Sequence, residues 1–126
     1  MRKLALIAVL LASPAAADVS LVDNHETVTV DCAKDPNVSI AGNHETVTLT
    51  GVCKSVMIAG NSAKVTGSAT SFSIAGNKNT VDIDGADTIS ITGNDNTVSY
   101  KKAADAKKKA PKVSNLGTKN TVKKTP

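Results

Sequence analysis

The residues of this chain with the clearest capacity for chemistry are two histidines and two glutamates. His25 and Glu26 recur as His44 and Glu45 in two copies of the pentapeptide NHETV. If the two copies stack as neighbouring units of a repeat, the imidazoles lie about 5 Å apart and can share a Zn²⁺ or Cu²⁺ ion with a carboxylate. Such sites usually have three or four protein ligands, and the chain has no third histidine. We therefore expect a solvated surface ladder without a resident metal or other cofactor.

The two cysteines, Cys32 and Cys53, are a candidate disulfide. Both follow equivalent valines of neighbouring repeats, Val28 and Val47, and a bridge between adjacent units would suit the Cα separation of about 4.4–6.8 Å that disulfides require. The alternative is two free thiols, because Cys32 lies four residues after its valine and Cys53 six residues after its own. We predict the disulfide, which is consistent with export from the cytoplasm.

A lysine-rich segment, KKAADAKKKAPK, is the third candidate site. Residues 18–100 contain four Lys against ten Asp and Glu, whereas residues 101–126 contain nine Lys and one Asp. A flexible solvated segment is the simplest interpretation. We also expect these lysines to bind an anionic envelope polymer or lipid weakly, and we expect no nucleic acid as a partner because the body is acidic. The candidate residues are Lys101, Lys102, Lys107, Lys108, Lys109 and Lys112.

The first 17 residues have the pattern of an export signal. Arg2 and Lys3 precede the apolar run 4–12, and an A-x-A site ends at Ala17. The apolar run is shorter than the roughly 20 residues that a spanning helix needs, so an uncleaved anchor is the less favoured alternative. We expect cleavage after Ala17, localisation in the periplasm or outside the cell, and no transmembrane segment after cleavage.

Six ten-residue segments of the chain align without gaps, which indicates an internal repeat with a mean unit of about 17 residues. Each has an apolar residue, a short alternating run, a Gly-Asn or related turn, and a closing Thr-Val or Lys-Val. The lysine-rich segment is an insertion before the sixth copy. The segments are VSLVDNHETV (19–28), VSIAGNHETV (38–47), VMIAGNSAKV (56–65), FSIAGNKNTV (72–81), ISITGNDNTV (89–98) and VSNLGTKNTV (113–122).

The unit predicts strand, corner, strand and variable turn, with Gly-Asn at the corner because both residues tolerate positive φ. We predict an all-β, parallel β-solenoid of about five to six rungs; the alternative is an antiparallel β-meander. Stacking would form an asparagine ladder, an outward threonine ladder interrupted by Lys64, and a serine ladder interrupted by Met57. Alternate apolar residues would form a thin core, and Asn115 and Lys124 would make the last unit a polar cap.

Two of the motifs, SVMIAGN (55–61) and GNKNTVDI (76–83), resemble those of the secreted bacterial family known as domain of unknown function 3060. The resemblance covers about residues 24–100. It implies a small secreted repeat protein and transfers no activity and no catalytic residue.

The candidate residues of this chain do not favour a catalytic function. Both histidines occupy one repeat position, so no Ser-His-Asp arrangement is available, and paired acid–base carboxylates need a cleft that a filled solenoid does not offer. We expect a non-enzymatic structural or binding module of the cell envelope, with no catalytic residues. An ice- or surface-binding protein using the Thr and Ser ladders, and a secreted enzyme, are the alternatives.

The chain therefore divides into a signal peptide (1–17), a β-repeat domain (18–100), an inserted basic loop (101–112), and an atypical terminal repeat with its tail (113–126). The acidic body and the basic C-terminal segment also favour weak, salt-sensitive self-association of an otherwise monomeric protein.

Overall fold

A computed structural model describes residues 18–105, 107–108 and 110–125. The signal-peptide prediction for residues 1–17, and Lys109, lie outside the described residues. The described chain is all-β, and it contains no helix that could cross a membrane. Its strands are β1 (Asp18–Leu21), β2 (Thr27–Asp31), β3 (Asn37–Ile40), β4 (Thr46–Ile58), β5 (Lys64–Ile74), β6 (Thr80–Gly85), β7 (Thr88–Ile91), β8 (Thr97–Lys102), β9 (Lys112–Asn115) and β10 (Thr121–Lys124).

Every pairing between these strands is parallel, which confirms the solenoid and excludes the meander. Each turn contributes one strand to each of two faces. The first face stacks β1, β3, the second half of β4, the second half of β5, β7 and β9; the second face stacks β2, the first half of β4, the first half of β5, β6, β8 and β10. The successive turns bring equivalent repeat residues into direct register, such as Val81 beside Val98.

The inward positions of the two faces form one thin core. Ile40, Ile58, Ile74 and Ile91 make a fully buried column, and Phe72 is buried beside it. Of the predicted inward residues of the first turn, Val19 and Val28 are only partly covered, because they have a neighbouring turn on one side alone, whereas Leu21 and Val30 are buried. Asn115 and Lys124 are exposed, as expected for a polar terminal turn.

The backbone conformation of the Gly-Asn corner differs from the sequence-based expectation. The left-handed conformation falls on the residue after the asparagine, for example His44 (φ 59°) and Lys78 (φ 58°), and not on the Gly-Asn pair itself. There the backbone N–H donates to the asparagine carbonyl of the next turn, 3.0 Å from His44 to Asn61. The expectation failed because the local turn tendency of Gly-Asn says nothing about contacts between turns.

The corner glycines are required by close approach. At each of five successive turns, a Cβ on the glycine would overlap the carbonyl oxygen of the equivalent residue in the preceding turn. Only a residue without a side chain lets the turns stack at their hydrogen-bonding distance. The glycines are Gly42, Gly60, Gly76, Gly93 and Gly117.

The predicted disulfide is present between Cys32 and Cys53, whose Cα atoms are 4.7 Å apart. Both cysteines are buried at the variable corner, and the bridge ties the first turn to the second. Cys53 is in register with Ala69, and the registers of the following strands continue this corner through Ala86 and Ala103, all of them buried. Alanine is therefore a natural occupant of this corner.

Replacing both cysteines with alanine tests how much the bridge stabilises the first turn. Because the bridge closes a loop with a sequence separation of 21, we expect the Cys32→Ala/Cys53→Ala variant to lose about 3 kcal/mol of unfolding free energy. Urea unfolding followed by circular dichroism measures this loss. Reductant should lower the stability of the wild type and leave the variant unchanged; a wild type indifferent to reductant would contradict the assignment.

Candidate functional site

The predicted asparagine ladder lies on the outer side of the Gly-Asn corner. The Asn43 backbone N–H donates to Asn24 Oδ1 at 2.9 Å, and its side-chain amide donates to the same oxygen at 3.0 Å. The pattern continues through Asn61, Asn77 and Asn94 with backbone N–H to Oδ1 distances of 3.0–3.2 Å. This ladder is confirmed and it joins consecutive turns along one edge of the molecule.

A second asparagine column, which the sequence analysis missed, is buried inside the same corner. Asn79 Nδ2 donates to the Gly60 carbonyl at 3.0 Å, while Asn79 Oδ1 accepts the Ala63 N–H at 2.8 Å. Asn96 and Asn120 repeat this arrangement in later turns. The second asparagine of the GN-x-N motif was the available signal. Each amide satisfies one donor and one acceptor that the close-packed corner would otherwise bury unpaired.

Glu45 occupies the equivalent position in the second turn, before the asparagine column begins, and Ala63 holds this position in the third turn. The Glu45 side chain is fully buried, and neither carboxylate oxygen has a hydrogen-bond partner among the described residues. Burial raises the pKa of Glu45, and the negative charges of Glu26 and Asp23 raise it further, while His25 opposes the shift. A protonated carboxyl at this position can donate and accept, as the asparagine amides do in later turns.

The histidine pair is the second feature of this corner. The rings of His25 and His44 stack with centroids 4.7 Å apart and planes within 3°. The nitrogen lone pairs of imidazole lie in the ring plane, so two parallel stacked rings do not point at one shared ion. Within the described residues, no group of three or more His, Cys, Asp or Glu side chains is placed to hold a metal. Glu26 is half-buried and Glu45 lies beneath the corner.

The lysine-rich segment 101–112 begins with the last two residues of β8 and ends with the first residue of β9, and two aspartates contact it. Asp87, whose side chain is 10% exposed, accepts the Asp105 N–H at 2.9 Å and pairs with Lys108 Nζ at 3.6 Å. Lys101 Nζ lies 3.4 Å from the exposed Asp84. The described part of the insertion is therefore docked on the body and differs from the free, flexible segment that was the simplest interpretation of the sequence.

The lysines of the insertion nevertheless keep their charged ends in solvent. Lys102, Lys107 and Lys112 are exposed, and the Lys101 and Lys108 side chains are each 54% exposed although they are paired. The structure thus gathers five of the six predicted lysines on the docked loop and the strand ends beside it.

The family model described as "Protein of unknown function (DUF3060)" matches residues 40–71 and 61–120. The chain belongs to this family. The match confirms the resemblance that its repeat motifs indicated. No curated protein and no solved structure matches the chain. Membership in the DUF3060 family brings no assigned activity, so the function has to be argued from the surfaces of this DUF3060 chain.

The carboxyl of Glu45 makes a pH-dependent contribution to stability. Because its pKa is raised above the ordinary value of 4.5, the folded state binds a proton that the unfolded state releases, and stability falls as pH rises from 4.5 through the folded pKa. The Glu45→Gln variant keeps the size and the hydrogen-bonding groups without ionising. We expect it to match the wild type near pH 4 and to exceed it by about 1–3 kcal/mol at neutral pH.

Urea unfolding at both pH values measures the difference between the Glu45 forms. Glu26→Gln is the comparison variant: Glu26 holds the same repeat position in the first turn and is only half-buried, and its charge contributes to the raised pKa of Glu45, so this variant should gain stability at neutral pH but less than Glu45→Gln does. A constant gap between Glu45→Gln and the wild type at all pH values would contradict the role of Glu45.

Asp87 is expected to control the order of the basic loop. Asp87→Ala removes the acceptor of the Asp105 N–H and the partner of Lys108, and a hydrogen bond to a carboxylate is worth about 1.5–3 kcal/mol. We expect tryptic cleavage within residues 107–112 to accelerate about tenfold or more. Asp84→Ala, which removes only an exposed ion pair, should change the cleavage rate far less. Equal rates for the two variants would refute the anchoring role.

Proposed function

We propose that this protein is a non-enzymatic, exported module of the cell envelope whose solenoid carries a docked basic loop that binds anionic groups of an envelope polymer or lipid surface. The observation that carries the proposal is the loop itself: its backbone is fastened through Asp87, while its described lysines are exposed. A fastened loop loses less conformational entropy on binding than a free tail.

The charge around the loop supports this role. The last turn adds Lys119, Lys123 and Lys124, all exposed, to the lysines of the insertion. A lysine near an anionic surface contributes roughly 1 kcal/mol, so several acting together give measurable but salt-sensitive attachment. Five of the ten acidic residues of the body lie in the first turn, at the other end of the solenoid, while Asp82, Asp84, Asp87 and Asp95 lie in the turns next to the loop.

Three features support export and a non-enzymatic role. The buried Cys32–Cys53 bridge is typical of proteins that fold in an oxidising compartment. The N-terminal sequence has the pattern of a signal peptide. Among the described residues the interior of the solenoid is filled by the chain's own apolar side chains, which favours binding at the surface over catalysis in a cleft.

The alternative of ice or surface binding requires flat, uninterrupted hydroxyl columns. Thr27, Thr46, Thr80 and Thr97 do share one outward column, but Lys64 stands in the middle of it. The adjacent outward column contains Asp82. These charges interrupt the threonine face, so the basic loop is the better-supported binding surface.

Vesicle co-sedimentation tests the role of the basic loop. We expect the protein to bind phosphatidylcholine vesicles only when they contain phosphatidylglycerol, and soluble polygalacturonate to compete if an acidic polysaccharide is an equivalent ligand. Replacing four lysines by glutamine, at positions Lys102, Lys107, Lys109 and Lys112, should weaken binding about tenfold or more.

The chain offers a matched control with the same change in net charge. Its body holds four lysines, and replacing those by glutamine should weaken binding much less than the loop variant does. They are Lys34, Lys54, Lys64 and Lys78. If the two variants lose the same amount of vesicle binding, the binding depends on net charge alone and the assignment to the loop is wrong. Vesicle binding that does not change with salt concentration would also contradict the assignment.

A further inference from the structure

Each end of the solenoid presents strands that are paired on one side only. Within the described part of the chain, β1 and β2 pair with β3 and β4 alone, and β9 and β10 pair with β7 and β8 alone. Open edges of this kind expose backbone N–H and C=O groups to any strand that can continue the ladder. Because the repeats are alike, the most similar such strand is the opposite end of a second copy.

The two ends carry opposite charges. Residues 18–35 contain five Asp or Glu and one Lys, whereas residues 112–125 contain four Lys and no acidic residue. The charges also fall in one column: Asp18 is in register with Asn37 at the acidic end, and Thr88 is in register with Lys112 at the basic end. A second copy that continued the register would place its Asp18 beside Lys112. The charges therefore favour head-to-tail stacking.

The corner glycines oppose the same stacking. From the second turn to the sixth, each corner needs glycine because a Cβ would overlap the carbonyl oxygen of the turn before it. The first turn carries Asp23 at this position, directly before Asn24. No earlier turn precedes Asp23 in the described chain. In a continuous stack, however, its Cβ would meet the Gly117 carbonyl oxygen of the neighbouring molecule.

We propose that the two ends are complementary surfaces for a second copy of this chain, and that the Cβ of Asp23 keeps them from joining. Asp23 acts through the volume of its side chain. It stands at the repeat position where a turn that stacks on a preceding turn has no room for a Cβ. The wild-type protein is accordingly a monomer with matched ends, in place of the weak self-association that the charges alone favoured, and glycine at position 23 removes this steric overlap.

Three forms of the exported, processed protein separate volume from charge: the wild type, Asp23→Ala and Asp23→Gly. Asp23→Ala removes the charge and keeps the Cβ, so it should remain monomeric like the wild type. Asp23→Gly should form head-to-tail assemblies whose mass in sedimentation grows with concentration and falls with salt. Circular dichroism confirms that all three are folded, which is expected because Asp23 is exposed.

Single cysteines report the register of any assembly. Thr27 and Thr121 are exposed members of one outward column, at its two ends. In-register parallel neighbours lie about 4.8 Å apart, within the Cα range of disulfides. On the Asp23→Gly background, an oxidised mixture of Thr27→Cys and Thr121→Cys proteins should form mixed dimers at least about tenfold faster than on the Asp23→Ala background. Assembly of the alanine variant or the wild type to the same extent, or a strictly monomeric glycine variant without mixed dimers, overturns the proposal.

Discussion

Parallel stacking of near-identical turns is the constraint on which the rest of this structure depends. Adjacent strands in a ladder lie about 4.8 Å apart, so each residue has its own equivalent directly before and after it. A residue type is therefore suitable only if it is complementary to itself at that spacing. Glycine meets this condition at the crowded corner, asparagine meets it with one donor and one acceptor, and isoleucine meets it by packing.

The molecule differs from a regular repeat at the positions where a residue is not complementary to its equivalents in the neighbouring turns. Glu45 precedes the buried asparagine column, from which Ala63 separates it, and its carboxyl has no hydrogen-bond partner among the described residues, which is the basis of the pH dependence expected for the second turn. The variable corners tolerate change because the two faces on either side of them keep their register. One such corner holds the Cys32–Cys53 bridge, and another holds the basic insertion without disturbing the pairing of β8 with β10.

The solenoid also separates charge along its axis, which a globular packing of the same composition would not do. Sequence order becomes axial order, so the acidic first repeat and the basic last repeat lie at opposite ends. This polarity underlies both proposals. The basic end presents lysines to an anionic surface. The opposite charges of the two ends favour their association, and the Cβ of Asp23 in the first corner sterically opposes it. Neither role needs an enclosed cavity, and a core filled by its own side chains is consistent with that.

The sequence by itself determined the architecture and the ladders, whereas it left the Cys32–Cys53 bridge open against free thiols, because the two cysteines lie at different distances from their valines. Six aligned segments with alternating apolar residues imply stacked strands, and a strict repeat in a stack puts equivalent residues side by side. Only the tertiary structure decided which backbone conformation and which burial the corner residues have, because these depend on contacts between turns. The left-handed residue is His44 and its equivalents, Asn79 is buried although Asn77 is exposed, and Glu45 is enclosed although Glu26 is half-covered. Propensity describes a residue and its neighbours in the chain, whereas the corner is set by contact with a turn about 18 residues away. The docking of the lysine-rich loop depends in the same way on Asp87, which lies in the preceding turn.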